Sequence, residues 1–150
     1  MAKSRTPTTV KGIPFVRTER AIGSRSRVVM ASMSKLDKGL SEDKSFYVGK
    51  GGAGGIGGRY EGFGKWMTGK ESWHRGKSSV EMPEVGMKDG KPYVVDGRHR
   101  LAWFRDNGFS EIPVSVSAAD AKAFQQAFGS STSGRAVSAG SSGKTRSDPD

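Results

Sequence analysis

The sequence predicts an α+β domain with a mixed sheet and packed helices, and three features of its second half carry that expectation. A strand candidate, Val80 to Val85, and a short apolar strand, Tyr93 to Val95, flank Met87-Lys88-Asp89-Gly90-Lys91, whose Asp-Gly pair is a strong hairpin signal. Asp96-Gly97-Arg98-His99-Arg100 then joins the second strand to a helix-like stretch that begins near Leu101 and stops at Gly108. Finally, Ile112-Pro113-Val114-Ser115-Val116 alternates apolar and polar residues as a strand does.

Taken from the N-terminus, residues 1–27 read as a basic, disordered leader, poor in the apolar side chains a core requires. In residues 28–44, Val28-Val29-Met30 and Met33 to Leu36 suit one short helix, and the rest carries no clear signal. The domain proper is expected over 45–129, opening with a strand at Ser45-Phe46-Tyr47-Val48. Nine of the sixteen residues from Gly49 to Gly64 are glycine, a composition that costs too much backbone entropy for a helix interior and predicts a mobile loop, either a lid or a disordered insertion. Tyr60, Phe63 and Trp66 or Met67 recur at helical spacing as a core stripe, although Gly62 and Gly64 weaken the helix.

Pro83 argues for an edge position in the strand from Val80 to Val85. In the helix after Gly97, Leu101, Phe104 and Asn107 share one face, while Arg98 and Arg105 share an outer face on which Arg105 is solvated. Ser117 and Asp120 have capping-box spacing at the start of a last helix, which runs through Phe124 and Phe128 to Gly129. Residues 130–150 are a disordered Ser/Gly-rich tail.

Charge is unevenly spread. Residues 1–40 carry nine Lys/Arg against two acidic residues, a net +7, whereas residues 81–120 carry a net −2. A basic arm on a near-neutral fold suits sequence-independent contact with nucleic acid phosphates. The absence of cysteine excludes disulfides and a thiolate metal site and fits a cytoplasmic location. No apolar run approaches the length of a membrane span.

The chemistry concentrates at residues 96–100. A strand, a Gly turn and a helix start bearing Arg98, His99 and Arg100 form a natural phosphate site, because the first backbone N–H groups of a helix lack intrahelical partners. The alternative is that Asp96 caps the helix, Gly97 supplies a special backbone angle and the arginines are solvated or paired. Other apparent motifs carry less. Gly49-x-Gly51-x-x-Gly54 and Gly52-x-Gly54-x-x-Gly57 lack the strand-to-helix setting of a dinucleotide turn, and Gly76-Lys77-Ser78 and Gly143-Lys144-Thr145 lack the first glycine of a P-loop. Arg59, Lys65 and Lys70 beside the aromatic residues allow base stacking as an alternative to core packing. His74, between Trp73 and Arg75, reads as a surface or packing residue, and two histidines with no cysteine make a zinc site a poor fit.

The run "VEMPEVGMKDGKPYVVDGRHRLAWFRDNGFSEIPVSV", about a quarter of the chain, resembles the ParB/sulfiredoxin-like superfamily, in which a Gly-x-x-Arg box at a helix start follows a strand and precedes "G…IPV". In ParB-type proteins the box is Gly-Glu-Arg-Arg and binds the phosphates of CTP; Gly97 and Arg100 match its ends, and Arg98 stands in place of the acid. In sulfiredoxins it is Gly-Cys-His-Arg; Gly97, His99 and Arg100 match, and Arg98 replaces the nucleophilic cysteine, which excludes that chemistry. A free-serine kinase branch relies on a carboxylate, for which Asp96 or Glu84 is the candidate.

The resemblance thus implies phosphate binding by Gly97, Arg98, His99 and Arg100, with ATP or CTP as ligand. Phosphoryl transfer or nuclease-type hydrolysis would add Mg²⁺, with Asp96 as metal-binding and catalytic carboxylate. Two alternatives stand beside it: a non-enzymatic nucleic-acid-binding accessory protein acting through its basic arm, and a structural or interaction protein of a phage or mobile element.

Overall fold

The computed structural model describes residues 7–69 and 79–130 and has an α+β fold with two sheets and five α-helices among them. The expectations placed on His74, on Gly76-Lys77-Ser78 and on the tail after Ser130 lie outside the described residues.

The first sheet corrects the disordered leader. Strand β1 (Thr8–Val10) pairs antiparallel with β2 (Ile13–Val16) across Lys11-Gly12, both at positive φ as a tight hairpin turn requires. Phe15 of β2 is fully buried against Phe104, ring centroids 5.2 Å apart. Burying a ring of this size contributes roughly 2 kcal/mol, enough to hold a short hairpin that composition alone reads as polar. Strand β4 (Val80–Glu81) completes the sheet by pairing parallel with β2. Helix α1 (Glu19–Gly23) follows β2, capped by Thr18, whose hydroxyl accepts the Ala21 N–H at 3.0 Å.

The second sheet has the order β3-β7-β5-β6. Strand β3 (Arg27–Ser32) takes the residues expected to open a helix, so the helix α2 is confined to Met33–Leu40, capped by Ser32. The β-branched pair Val28-Val29 favours the strand. Strands β5 (Glu84–Lys88) and β6 (Lys91–Asp96) form the expected hairpin over Asp89 and Gly90, both at positive φ. Strand β7 (Glu111–Val116) pairs antiparallel with β3 and parallel with β5, so it is central and buried on both faces, which corrects the alternating pattern.

Pro83 also differs from its expected edge role. It separates β4 from β5, and the chain changes sheets there, so the single expected strand from Val80 to Val85 becomes two. A residue without an N–H donor is tolerated where one ladder ends and the next begins.

Ser45 to Val48 forms no strand, only a turn leading to irregular backbone. The glycine-rich segment has defined structure as well: a 3-10 turn at Lys50–Gly52 and helix α3 (Arg59–Thr68), whose interior includes Gly62 and Gly64. Glycine here allows close packing. A Cβ on Gly64 would lie 2.7 Å from Trp103 Nε1, and one on Gly55 would lie 2.8 Å from the His99 ring. Helix α4 (Arg98–Asp106) begins three residues earlier than expected and ends before Gly108 at φ +86°. Helix α5 (Ala121–Phe128) lacks the expected capping box; Asp120 instead accepts the Met87 N–H at 3.4 Å, tying the helix start to β5. Beyond it, Gly129 bridges Ala31 and the Ser130 N–H bonds the Met30 carbonyl, covering the free edge of β3.

One core joins both sheets. Phe104 is its hub, in ring contact with Phe15, Phe63, Trp103 and Phe109. Since α4 is anchored through Phe104, its N-terminus at the end of β6 is held by the most buried part of the molecule.

Candidate functional site

Gly97 turns β6 into α4 with φ +95°, a conformation open to glycine and strained in other residues. It is the N-cap and offers no side-chain acceptor, so Asp96 is not the cap that one reading of the sequence assigns to it. The first N–H groups of α4 therefore have no side-chain oxygen from the N-cap to accept them. A cleft of about 300 Å³ opens there, lined by Arg59, Asp96, Gly97, Arg98 and His99 together with apolar residues that include Phe46 and Ile56.

The four expected phosphate ligands part company in the structure. Gly97, Arg98 and His99 line this cleft, and Arg100 does not. Arg100 turns back beneath the helix start, where its Nη1 donates to the Glu81 carbonyl at 2.9 Å and its guanidinium lies 5.5 Å from the Phe63 ring. It thereby locks α4 to β4 and α3. The sequence match to a Gly-x-x-Arg box gives the residue type and not the direction in which the side chain leaves the helix; one residue step turns it by about 100°.

Arg59 takes the place that Arg100 vacates. It is the first residue of α3, and its position in the cleft depends on the glycine-rich segment folding back over α4. The sequence offers Arg59 only as a base-stacking residue beside the aromatic side chains, because its place in the cleft depends on a stretch expected to be mobile. Arg98 lies across the mouth, with Nη1 donating to the Phe46 carbonyl at 3.1 Å and its guanidinium 5.5 Å from the Phe46 ring.

His99 is nearly buried and neutral. Its Nε2 accepts the Ile56 backbone N–H at 2.9 Å, which leaves the ring proton on Nδ1. Burial lowers its pKa below the ordinary value, and the charges of Arg98 and Arg59 lower it further. The histidine thus ties the glycine-rich segment to the start of α4. Glu84, the other carboxylate considered, is taken up by Arg20 at 3.0 Å and the Thr18 hydroxyl at 3.3 Å. Asp96 alone lines the cleft, and no cluster of three His, Asp or Glu residues capable of holding a metal occurs among the described residues.

Arg105 corrects the expectation of a solvated side chain. It lies between Asp106, Nε to Oδ1 at 2.9 Å, and Asp37 on α2, Nη1 to Oδ1 at 2.9 Å, and also donates to the Val48 carbonyl at 2.8 Å. Tyr47 donates to Asp37 at 3.0 Å and Tyr60 donates to Asp106 at 2.7 Å. Burial opposes the guanidinium charge, but the two carboxylates outweigh it and raise its pKa. Burial and the bond to Asp106 push the Tyr60 hydroxyl up to about 12. Asp106 Oδ2 also accepts the Gly51 N–H at 2.9 Å, so this network anchors the other end of the glycine-rich segment.

The basic arm changes character too. Arg17 donates to the Ser26 carbonyl at 2.7 Å and Arg20 pairs with Glu84, so much of the expected leader charge belongs to folded structure. No helix among the described residues is long and apolar enough to cross a membrane. No protein-family model, curated protein or solved structure shows a significant match to the chain.

Proposed function

We propose that this protein binds the phosphates of a nucleotide, ATP or CTP, in the cleft at the start of α4. The observation that carries this reading is the convergence of Arg59, Arg98 and the uncapped first turn of α4 on one concave surface. Backbone N–H groups at a helix start favour an anion before any side chain contributes. Two guanidinium groups add charge-assisted hydrogen bonds in a geometry suited to phosphate oxygens. His99 lines the same surface and keeps Nδ1–H as its ring donor, and Asp96 is the carboxylate available to a magnesium ion brought in with the nucleotide. Gly97 allows the backbone to make the turn that presents these groups.

Isothermal titration of the full chain with tripolyphosphate, ATP and CTP, each with and without Mg²⁺, tests the reading. Saturable binding that weakens about tenfold or more in Arg59→Ala supports it. Absence of binding by all three ligands overturns it. The nucleic-acid alternative would draw on basic residues such as Arg17 and Arg20, which are already engaged by the Ser26 carbonyl and by Glu84, and this favours nucleotide binding as the reading.

A further inference from the structure

The phosphate cleft has a neighbour. A second cleft of about 240 Å³ lies between α2, β6 and α4, and the two share Phe46, Val94 and Arg98 in their walls. The second is largely apolar, walled by Leu40, Tyr93 and Leu101, yet Asp43 stands at its edge. Phe46, at the junction, is 66% exposed, and Tyr93, in the wall of the second cleft, is 45% exposed, so two aromatic side chains have much of their surface uncovered. Tyr93 is placed by its cross-strand partner Gly86, whose missing Cβ leaves room for the ring.

Both clefts carry charges of both signs. The first carries Arg59, Arg98 and Asp96; the second carries Asp37, Asp43 and Arg105 and shares Arg98. Asp37 is committed to Arg105 and Tyr47. Asp43 accepts the Ser45 N–H on Oδ1 alone, which leaves Oδ2 without a partner among the described residues. A ligand spanning both clefts would therefore be anionic at one end and, at the other, planar, apolar-faced and able to donate an N–H.

We propose that the second cleft holds the base of the nucleotide whose phosphates occupy the first, and that Asp43 selects bases bearing an exocyclic amine. The inference rests on the phosphate reading above and adds the base class to it. The aromatic residues supply stacking surfaces, which accept any base. The carboxylate supplies discrimination, because it accepts from the amine of adenine or cytosine and repels the carbonyl oxygen that replaces it in hypoxanthine or uracil. A site built to pair with a polar group rejects an analogue lacking it more strongly than an apolar pocket rejects a change of size.

The test is a titration of the full chain with tripolyphosphate and with the pairs ATP/ITP and CTP/UTP, repeated with Asp43→Asn. Asp43 is exposed, so the substitution leaves the fold in place. We expect at least one amino-bearing nucleotide to bind about tenfold more tightly than its keto counterpart and than tripolyphosphate. In Asp43→Asn that preference should shrink to within about threefold, with tripolyphosphate affinity unchanged. Equal binding of tripolyphosphate and all nucleotides would overturn the base assignment and leave the phosphate reading standing. A preference that persists in Asp43→Asn overturns the role of Asp43. No binding of any of these ligands overturns the phosphate reading, and the base assignment with it.

Discussion

The backbone N–H of Ile56 donates to Nε2 of His99 across 2.9 Å, and that bond requires an unprotonated acceptor nitrogen. The pKa of His99 is lower in the folded protein than the ordinary value of about 6.5. Its contribution to stability is thus complete above the unfolded value and is lost as pH falls from there through the lowered folded value. We expect the Ile56 amide to exchange faster at pH 5 than at pH 7.5, after correction for intrinsic exchange, and expect His99→Phe to abolish the difference. Hydrogen exchange followed by NMR measures both.

Gly55→Ala tests the same junction by steric means. The added methyl would lie 2.8 Å from the His99 ring, and the ring has little room to withdraw because it is nearly buried. Overpacking of this kind costs about 1–3 kcal/mol. Urea denaturation should show that loss, together with faster exchange at Ile56; unchanged stability would mean that the segment does not pack on α4.

Arg105→Ala removes the cation between Asp37 and Asp106 and leaves both carboxylates facing each other in a partly buried network. We expect a loss of about 3 kcal/mol in denaturant unfolding, since stranding buried charges costs more than the pair's net worth. A surface arginine would cost less than about 0.5 kcal/mol on substitution, so the two accounts separate cleanly.

Arg105 also shows what the sequence could and could not convey. Helical spacing places it beside Arg98 on the outer side of α4, but Tyr47 and Val48, expected in a strand, return over that side as irregular backbone. The Asp89-Gly90 hairpin and the Gly97 turn were legible because turns depend on local backbone angles, and the end of α5 was legible at Gly129. The N-terminal hairpin was not, since its stability comes from the contact of Phe15 with Phe104, far along the chain. Composition likewise misleads at Gly49 to Gly64, where Gly55 and Gly64 admit the rings of His99 and Trp103 at close range. Of the residues that line the cleft, the motif names Gly97, Arg98 and His99; Arg59 joins them only once α3 has folded over α4.

Arg98 and Arg100 give the most direct measurement of the central claim. They flank His99 in sequence, yet Arg98 lines the cleft while Arg100 is bonded to the Glu81 carbonyl on the other side. Titration of ATP or CTP into Arg98→Ala and Arg100→Ala, each shown to be folded, should find binding weakened about tenfold or more in the first and within about threefold of wild type in the second. Equal affinity of Arg98→Ala and wild type, or loss confined to Arg100→Ala, would contradict the assignment of the cleft at the start of α4 as the phosphate site.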